Sequence, residues 1–183
     1  MRNFTVPTRE EVSTGNQAIF DNLKSNLGFV PNLYALFAKN ETALNDYLAL
    51  QNRKSTLRAK EREVINLVVS QVNSCNYCLA AHTALGKMQG FSDEEVLEIR
   101  GGDVTFDEKL NALAHFTKET TNNYGKPSAE SLEKLFEAGY TEANLVDIVM
   151  TIGDKIITNY LHSITQIPVD FPAAPELKVK VAA

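Results

Sequence analysis

The chain has 183 residues, 44% hydrophobic and 22% charged. That is the profile of an ordinary globule long enough to bury about 70% of its extended surface, which argues against disorder and against a small disulfide-stapled scaffold. Eighteen Lys and Arg against 23 Asp and Glu give a formal charge of −5 with the signs mixed along the chain, a poor match to a nucleic-acid backbone or an anionic membrane.

The amino terminus, MRNFTVPTREEV, lacks the uninterrupted apolar stretch of a signal peptide. The most continuous apolar run, Val64 to Val69, is broken by Asn66 and is far too short to span a bilayer. The expected compartment is the cytosol, where thiols stay reduced and a close cysteine pair is more often catalytic or metal-binding than structural.

Glycine (9) and proline (6) are sparse, and apolar residues recur at steps of three and four with no strict alternation, so the fold class is all-α. Thr8 with Glu11 predicts a capping box for a helix through Phe20 and Leu23 to about Leu27. Pro31 opens Asn32–Lys39, and a third helix runs from about Thr42 to Arg53. A helix from near Ala59 carries Val64, Ile65, Val68 and Val72 on one face. The polar stretch Asn73-Ser74-Cys75-Asn76 interrupts it, and a further helix continues to about Gln89.

Ser92 with Glu95 caps the next helix, which Gly101-Gly102 ends. Asp107 to about Asn123 holds Leu110, Leu113, Ala114 and Thr117 at helical spacing, and Ser128 caps a short helix to Ala138. Thr141 opens the last long helix, with Leu145, Ile148, Val149, Ile152 and Ile156 expected on its buried side. Pro168, Pro172 and Pro175 stop it. The expected organisation is a single all-α domain: residues 1–54 a helical extension, 55–165 the core, 166–183 an irregular tail. The aromatics Tyr34, Phe37 and Tyr47 read as core or interface, and the Lys54–Arg62 charge cluster as a solvated face.

Both cysteines lie in SCNYCLAAH. Steps of three and four bring Cys75, Cys78 and His82 to one helix face. Cys75 at the helix start would sit where unpaired N–H groups and the helix dipole favour a thiolate. If the two helices fold back as a hairpin, at about 1.5 Å per residue Cys78 lies about 5 Å below the turn, His82 about 11 Å and Glu63 about 16 Å. Thiol, imidazole and carboxylate then follow the order of a proton relay. Glu61 is two residues from Glu63, and periodicity does not choose between them.

A c-type haem site is excluded because Leu79, not histidine, follows Cys78. Zinc on Cys75, Cys78 and His82 lacks the fourth ligand of a structural site. Two small core residues that happen to lie close, and a redox dithiol, remain. His115, His162 and Asn159 read first as structural.

The segment EREVINLVVSQVNSCNYCLAAHTALG resembles the core of the AhpD-like alkylhydroperoxidases of the carboxymuconolactone decarboxylase family. GFVPNLYALFA, GFSDEEV and TNYLHSITQIPVDFP resemble the peroxidase-related branch, so the likeness runs from about Gly28 to Phe171. The resemblance implies an AhpD-like helical bundle, a homo-oligomer, and a thiol peroxidase with no metal, haem or flavin. It implies Cys78 as the peroxidatic thiol, Cys75 as the resolving one, and His82 and Glu63 as the relay, in preference to Glu61. The partners would be a hydroperoxide and a dithiol reductant of the dihydrolipoamide or thioredoxin kind. Tyr77 stands where such hydroperoxidases can carry another histidine. Two other readings use the same fold: a redox-responsive binding module without turnover, and a lyase or decarboxylase-like small-molecule enzyme.

Overall fold

The computed structural model describes residues 3–177. Met1 and Arg2 of the amino-terminal reading, and residues 178–183 at the end of the expected tail, lie outside them. Among the described residues the regular structure is helical throughout, as the periodicity required. After a 3₁₀ turn at Arg9–Glu11 come α1 (Thr14–Leu27), α2 (Asn32–Phe37), α3 (Ala43–Gln51), α4 (Ala59–Val72) and α5 (Asn76–Met88). They are followed by α6 (Asp93–Gly101), α7 (Glu108–Asn122), α8 (Ala129–Glu137) and α9 (Glu142–Thr165). No helix among them is long and apolar enough to cross a membrane.

The start of α1 departs from expectation. The Thr8 N–H donates to Glu11 Oε2 at 2.7 Å, but this box closes only the 3₁₀ turn. Val12 then turns extended and buries its side chain, and the Ser13 hydroxyl caps the true helix by accepting from the Asn16 N–H. A buried apolar residue between two capping signals decides which of them begins the helix.

The described chain forms two compact units. One runs up to Lys54 and includes Tyr160–Asp170. Its core gathers Val12, Phe20, Ala35, Ala38 and Leu44. The Phe37 ring stacks on Tyr47 at 4.6 Å and Tyr34 tilts against Tyr47 at 5.9 Å, which makes these aromatics packing residues. His162 is buried, and its Nε2 lies 3.2 Å from the Ile167 carbonyl, holding the turn that ends α9.

The other unit comprises Ser55–Asn159 and the chain from Phe171. At its centre α4 buries every residue from Val64 to Ser70, a helix enclosed on all sides rather than on the one face read from the sequence. Leu110, Leu113, Phe116, Leu135, Ile148 and Ile152 complete this core.

On α9 one expectation fails. Val149 is 53% exposed. The buried arc of the helix is shared by Ile148 and Ile152 with the polar Asp147, Thr151, Asp154, Lys155, Thr158 and Asn159, and at 100° per residue this places position 149 on the outer side.

Residues 171–177 are irregular but pinned. Phe171 meets the edge of Tyr77 at 5.6 Å, and Arg100 donates through Nη1 to the Pro175 carbonyl at 2.6 Å while its Nε holds Gln71 Oε1 at 3.0 Å.

Candidate active site

The two cysteines sit where α4 hands over to α5. Ser74 takes a left-handed conformation, φ 52°, and Cys75 returns to extended backbone as the N-cap of α5. The Cys75 N–H donates to the Ser70 carbonyl at 2.9 Å, and Cys75 Sγ accepts from the Cys78 N–H at 3.4 Å. A sulfur thus occupies the position where Ser, Asp or Asn usually satisfies a first-turn donor. Both residues are free thiols, 1% and 2% exposed.

Their protonation reverses the expectation drawn from the helix end. The acidic thiol is Cys78, lowered to about 5. The hydrogen bond from Cys75 contributes most, against the opposing effect of burial, and Lys155, His82 and Asn159 reinforce it. Cys75 is pushed up, first by serving as that donor, then by burial and by the Cys78 charge. The Cys78 N–H and Lys155 pull it down without prevailing. One negative charge fits between two sulfurs in a dry site, and the groups around Cys78 decide which carries it.

Behind Cys78, His82 Nδ1 lies 2.8 Å from Glu63 Oε2, and the second Glu63 oxygen accepts from Asn66 Nδ2 at 3.1 Å. Burial pushes the Glu63 carboxyl up, but His82, Lys155 and Asn66 outweigh it and hold it below the usual carboxylate range. A carboxylate only accepts, so Nδ1 carries a proton and Nε2 is the nitrogen left to exchange one.

Glu61 does different work. It accepts from the Arg58 N–H at 2.7 Å and from Arg58 Nη2 at 3.0 Å, and takes the Tyr140 hydroxyl at 3.3 Å. It is buried as the capping carboxylate of α4, so the charge cluster around it is not wholly a solvated face.

Two α9 side chains complete the enclosure. Asn159 Oδ1 accepts from Asn73 Nδ2 at 2.9 Å, and its Nδ2 donates to Ser70 Oγ at 3.4 Å, fastening α9 to the α4–α5 turn. One turn earlier is Lys155, 2% exposed. Sequence reasoning missed it. The available signal was a lysine four residues before Asn159 on the stripe that carries Ile148 and Ile152.

Residues 38–119 match the carboxymuconolactone decarboxylase family. The likeness runs from the end of α2 into α7. Its fold is similar to that of an uncharacterized peroxidase-related protein from Silicibacter sp. TM1040, at 26% identity over 90% of each chain and a TM-score of 0.81. It is also similar to an alkylhydroperoxidase AhpD core protein, described as peroxidase-related, from Ralstonia eutropha JMP134, at 18% identity over 92% of each chain and a TM-score of 0.82. The debrominase Bmp8, in a cysteine-to-alanine variant bound to 2,3,4-tribromopyrrole, shares the fold at 16% identity over 92% of each chain, with a TM-score of 0.75. No curated protein sequence matches the chain.

Within this AhpD-like fold, Tyr77 is a buried packing residue edge-on to Phe171. His115 is exposed on α7, in a groove of about 1390 Å³ between α7 and α8 that contains none of the residues above. Among the described residues, no three His, Cys, Asp or Glu side chains are grouped to hold a metal ion.

Proposed function

We propose that the protein is a thiol-dependent peroxidase that cycles between a dithiol and a Cys75–Cys78 disulfide. The observation that carries the reading is the acidic Cys78 thiol one helical turn from a histidine held by a buried carboxylate. A thiolate is the nucleophile toward peroxide oxygen, and a depressed pKa supplies it at neutral pH.

The Cys78 thiolate attacks the distal oxygen of ROOH, the O–O bond breaks, and Cys78 becomes a sulfenic acid as the peroxide is reduced. The leaving alkoxide takes a proton from His82, which Glu63 keeps oriented. Cys75 then attacks the sulfenic sulfur, forming the disulfide and releasing water. The Cys78 charge that kept Cys75 protonated is consumed in the first step, so Cys75 becomes more acidic when its own attack falls due. An external dithiol of the dihydrolipoamide or thioredoxin class reduces the disulfide.

The test is steady-state peroxide consumption with dihydrolipoamide. Sustained turnover that Cys78→Ser abolishes supports the reading. One oxidation per chain without turnover favours a redox-responsive binding module. Debromination of tribromopyrrole in place of peroxide reduction keeps the dithiol cycle and replaces the substrate.

Assembly as a homo-oligomer is part of the same reading. The outer face of α9 presents Val146, Met150, Gly153 and Ile157 at steps of four, three and four, flanked by Val149, while the charged Asp147, Asp154 and Lys155 of this stretch are buried. Val146 is 63% exposed. A helix that hides its charges and shows its apolar side suits a second copy of the same face.

A further inference from the structure

A lysine as enclosed as Lys155 is rare unless its charge is answered, and the way α9 lies along α4 locates what answers it. At one end, Asp147 Oδ2 accepts from the Thr56 N–H at 2.5 Å and from the Thr56 hydroxyl at 2.7 Å. At the other end, Asn159 bonds to Ser70 and Asn73. The two helices therefore run side by side in the same direction. Lys155, about 12 Å along α9 from Asp147 and about 6 Å short of Asn159, comes level with roughly Ile65–Leu67 of α4, within side-chain reach of Glu63. The groups that answer to it are Glu63 from α4, which holds His82 of α5, and Cys75 and Cys78 at the head of α5. The carboxylate and both sulfurs feel the lysine charge.

We propose that Lys155 is the permanent counter-charge of the dithiol pocket, a positioning residue whose ammonium lets the Glu63 carboxylate and the Cys78 thiolate be anionic together out of reach of water. Charge counting shows why one is needed. Glu63 and Lys155 cancel, so moving the Cys78 proton to His82 leaves the pocket neutral. Without Lys155 the same transfer leaves a net negative charge, and two buried anions share one imidazolium. Lys155 thus sets the proton balance of the site without touching peroxide. The role rests on Cys78 being the reactive thiol of the proposed peroxidase, but its test needs no peroxide.

The experiment is a pH titration of thiolate absorbance near 240 nm on the reduced, full-length protein, with Cys78→Ser identifying the Cys78 step. Lys155→Met should move that step upward by one pH unit or more, a tenfold smaller thiolate fraction on the acid limb. Lys155→Arg, which keeps the positive charge, should hold the step near its wild-type position. An unmoved Cys78 step in folded Lys155→Met overturns the proposal. Should Lys155→Met fail to fold, the double variant Glu63→Gln/Lys155→Met, which removes one charge of each sign, must recover folding. If it does not, the counter-charge role is wrong. A shifted titration in a protein without peroxide turnover keeps this role and rejects the peroxidase, and turnover with an unshifted titration does the reverse.

Discussion

Glu63 and His82 meet at 2.8 Å across two helices although nineteen residues separate them in the chain. The α4–α5 turn brings them together, and their long side chains close the step of about 5 Å expected between their levels. The contact fixes the tautomer of the imidazole and separates Glu63 from its neighbour Glu61, whose bonds to Arg58 and Tyr140 belong to a helix end.

Glu63→Gln keeps the shape of that contact and removes its charge. Peroxide turnover should fall about 10²–10⁴-fold, the usual contribution of a positioned proton-transfer group. Oxidation of the dithiol by diamide, which does not require the relay, should continue. The two rates measured side by side check this, and an equal loss in both would assign Glu63 to the fold alone.

The thiol pair ties stability to pH. Cys78 has a folded pKa of about 5 against an ordinary thiol value of 9.0. Between those values the unfolded chain holds a proton that the folded chain lacks, so stability rises with pH, by at most about 1.4 kcal/mol per pH unit. The contribution is complete above 9 and is lost as pH falls through about 5. Cys75, raised in the folded state, acts oppositely above its unfolded value. Urea unfolding at pH 5.5, 7 and 8.5 under reductant should show this rise in the wild type and lose it in Cys78→Ser.

Cys75→Ala and Cys75→Ser should differ. Alanine removes both the donor to the Cys78 sulfur and the acceptor for the Cys78 N–H. Its expected effects are a higher Cys78 pKa and a cap loss of about 1 kcal/mol. Serine supplies a hydroxyl for both roles and should retain most of each. Thiolate absorbance and thermal unfolding of the two variants decide the point.

The helices were legible because caps and periodicity agreed. Ser92 with Glu95, Asp107 and Ser128 each begin a helix where expected. At Thr8 local chemistry met a competing buried Val12, and the later cap won. Cys75, Cys78 and His82 could be picked out because their types are rare and their spacing helical, whereas Glu63 was preferred to Glu61 on the family resemblance alone. Lys155 could not, since a lysine within an apolar helix reads as solvated until packing is known. Val149 was misplaced for the same reason: α9 turns its polar residues inward, against the usual order of burial.

Ser74 is a non-glycine residue with φ 52° at the turn that aims Cys75. Ser74→Gly should stabilise the fold by about 0.5–1 kcal/mol, because glycine takes this conformation without steric cost. A raised melting temperature with unchanged thiol chemistry is the expected result. A lower one would mean that the Ser74 side chain holds the turn.

Ile157→Glu places a charge on the outer face of α9. Light scattering at micromolar concentration should show an oligomer for the wild type and a smaller species for the variant, with the helical circular dichroism retained. A monomeric wild type would remove the assembly.

The sulfur that caps α5 is also the one that would be drawn into a disulfide. Once bonded to Cys78 it becomes a poorer acceptor, and the Cys78 amide is left short of a partner at the head of the helix. Electron transfer at the thiols is therefore written into the backbone next to them: deuterium should enter the first turn of α5 faster after oxidation than before, a protein-borne record of redox state that can be read with neither substrate nor dye.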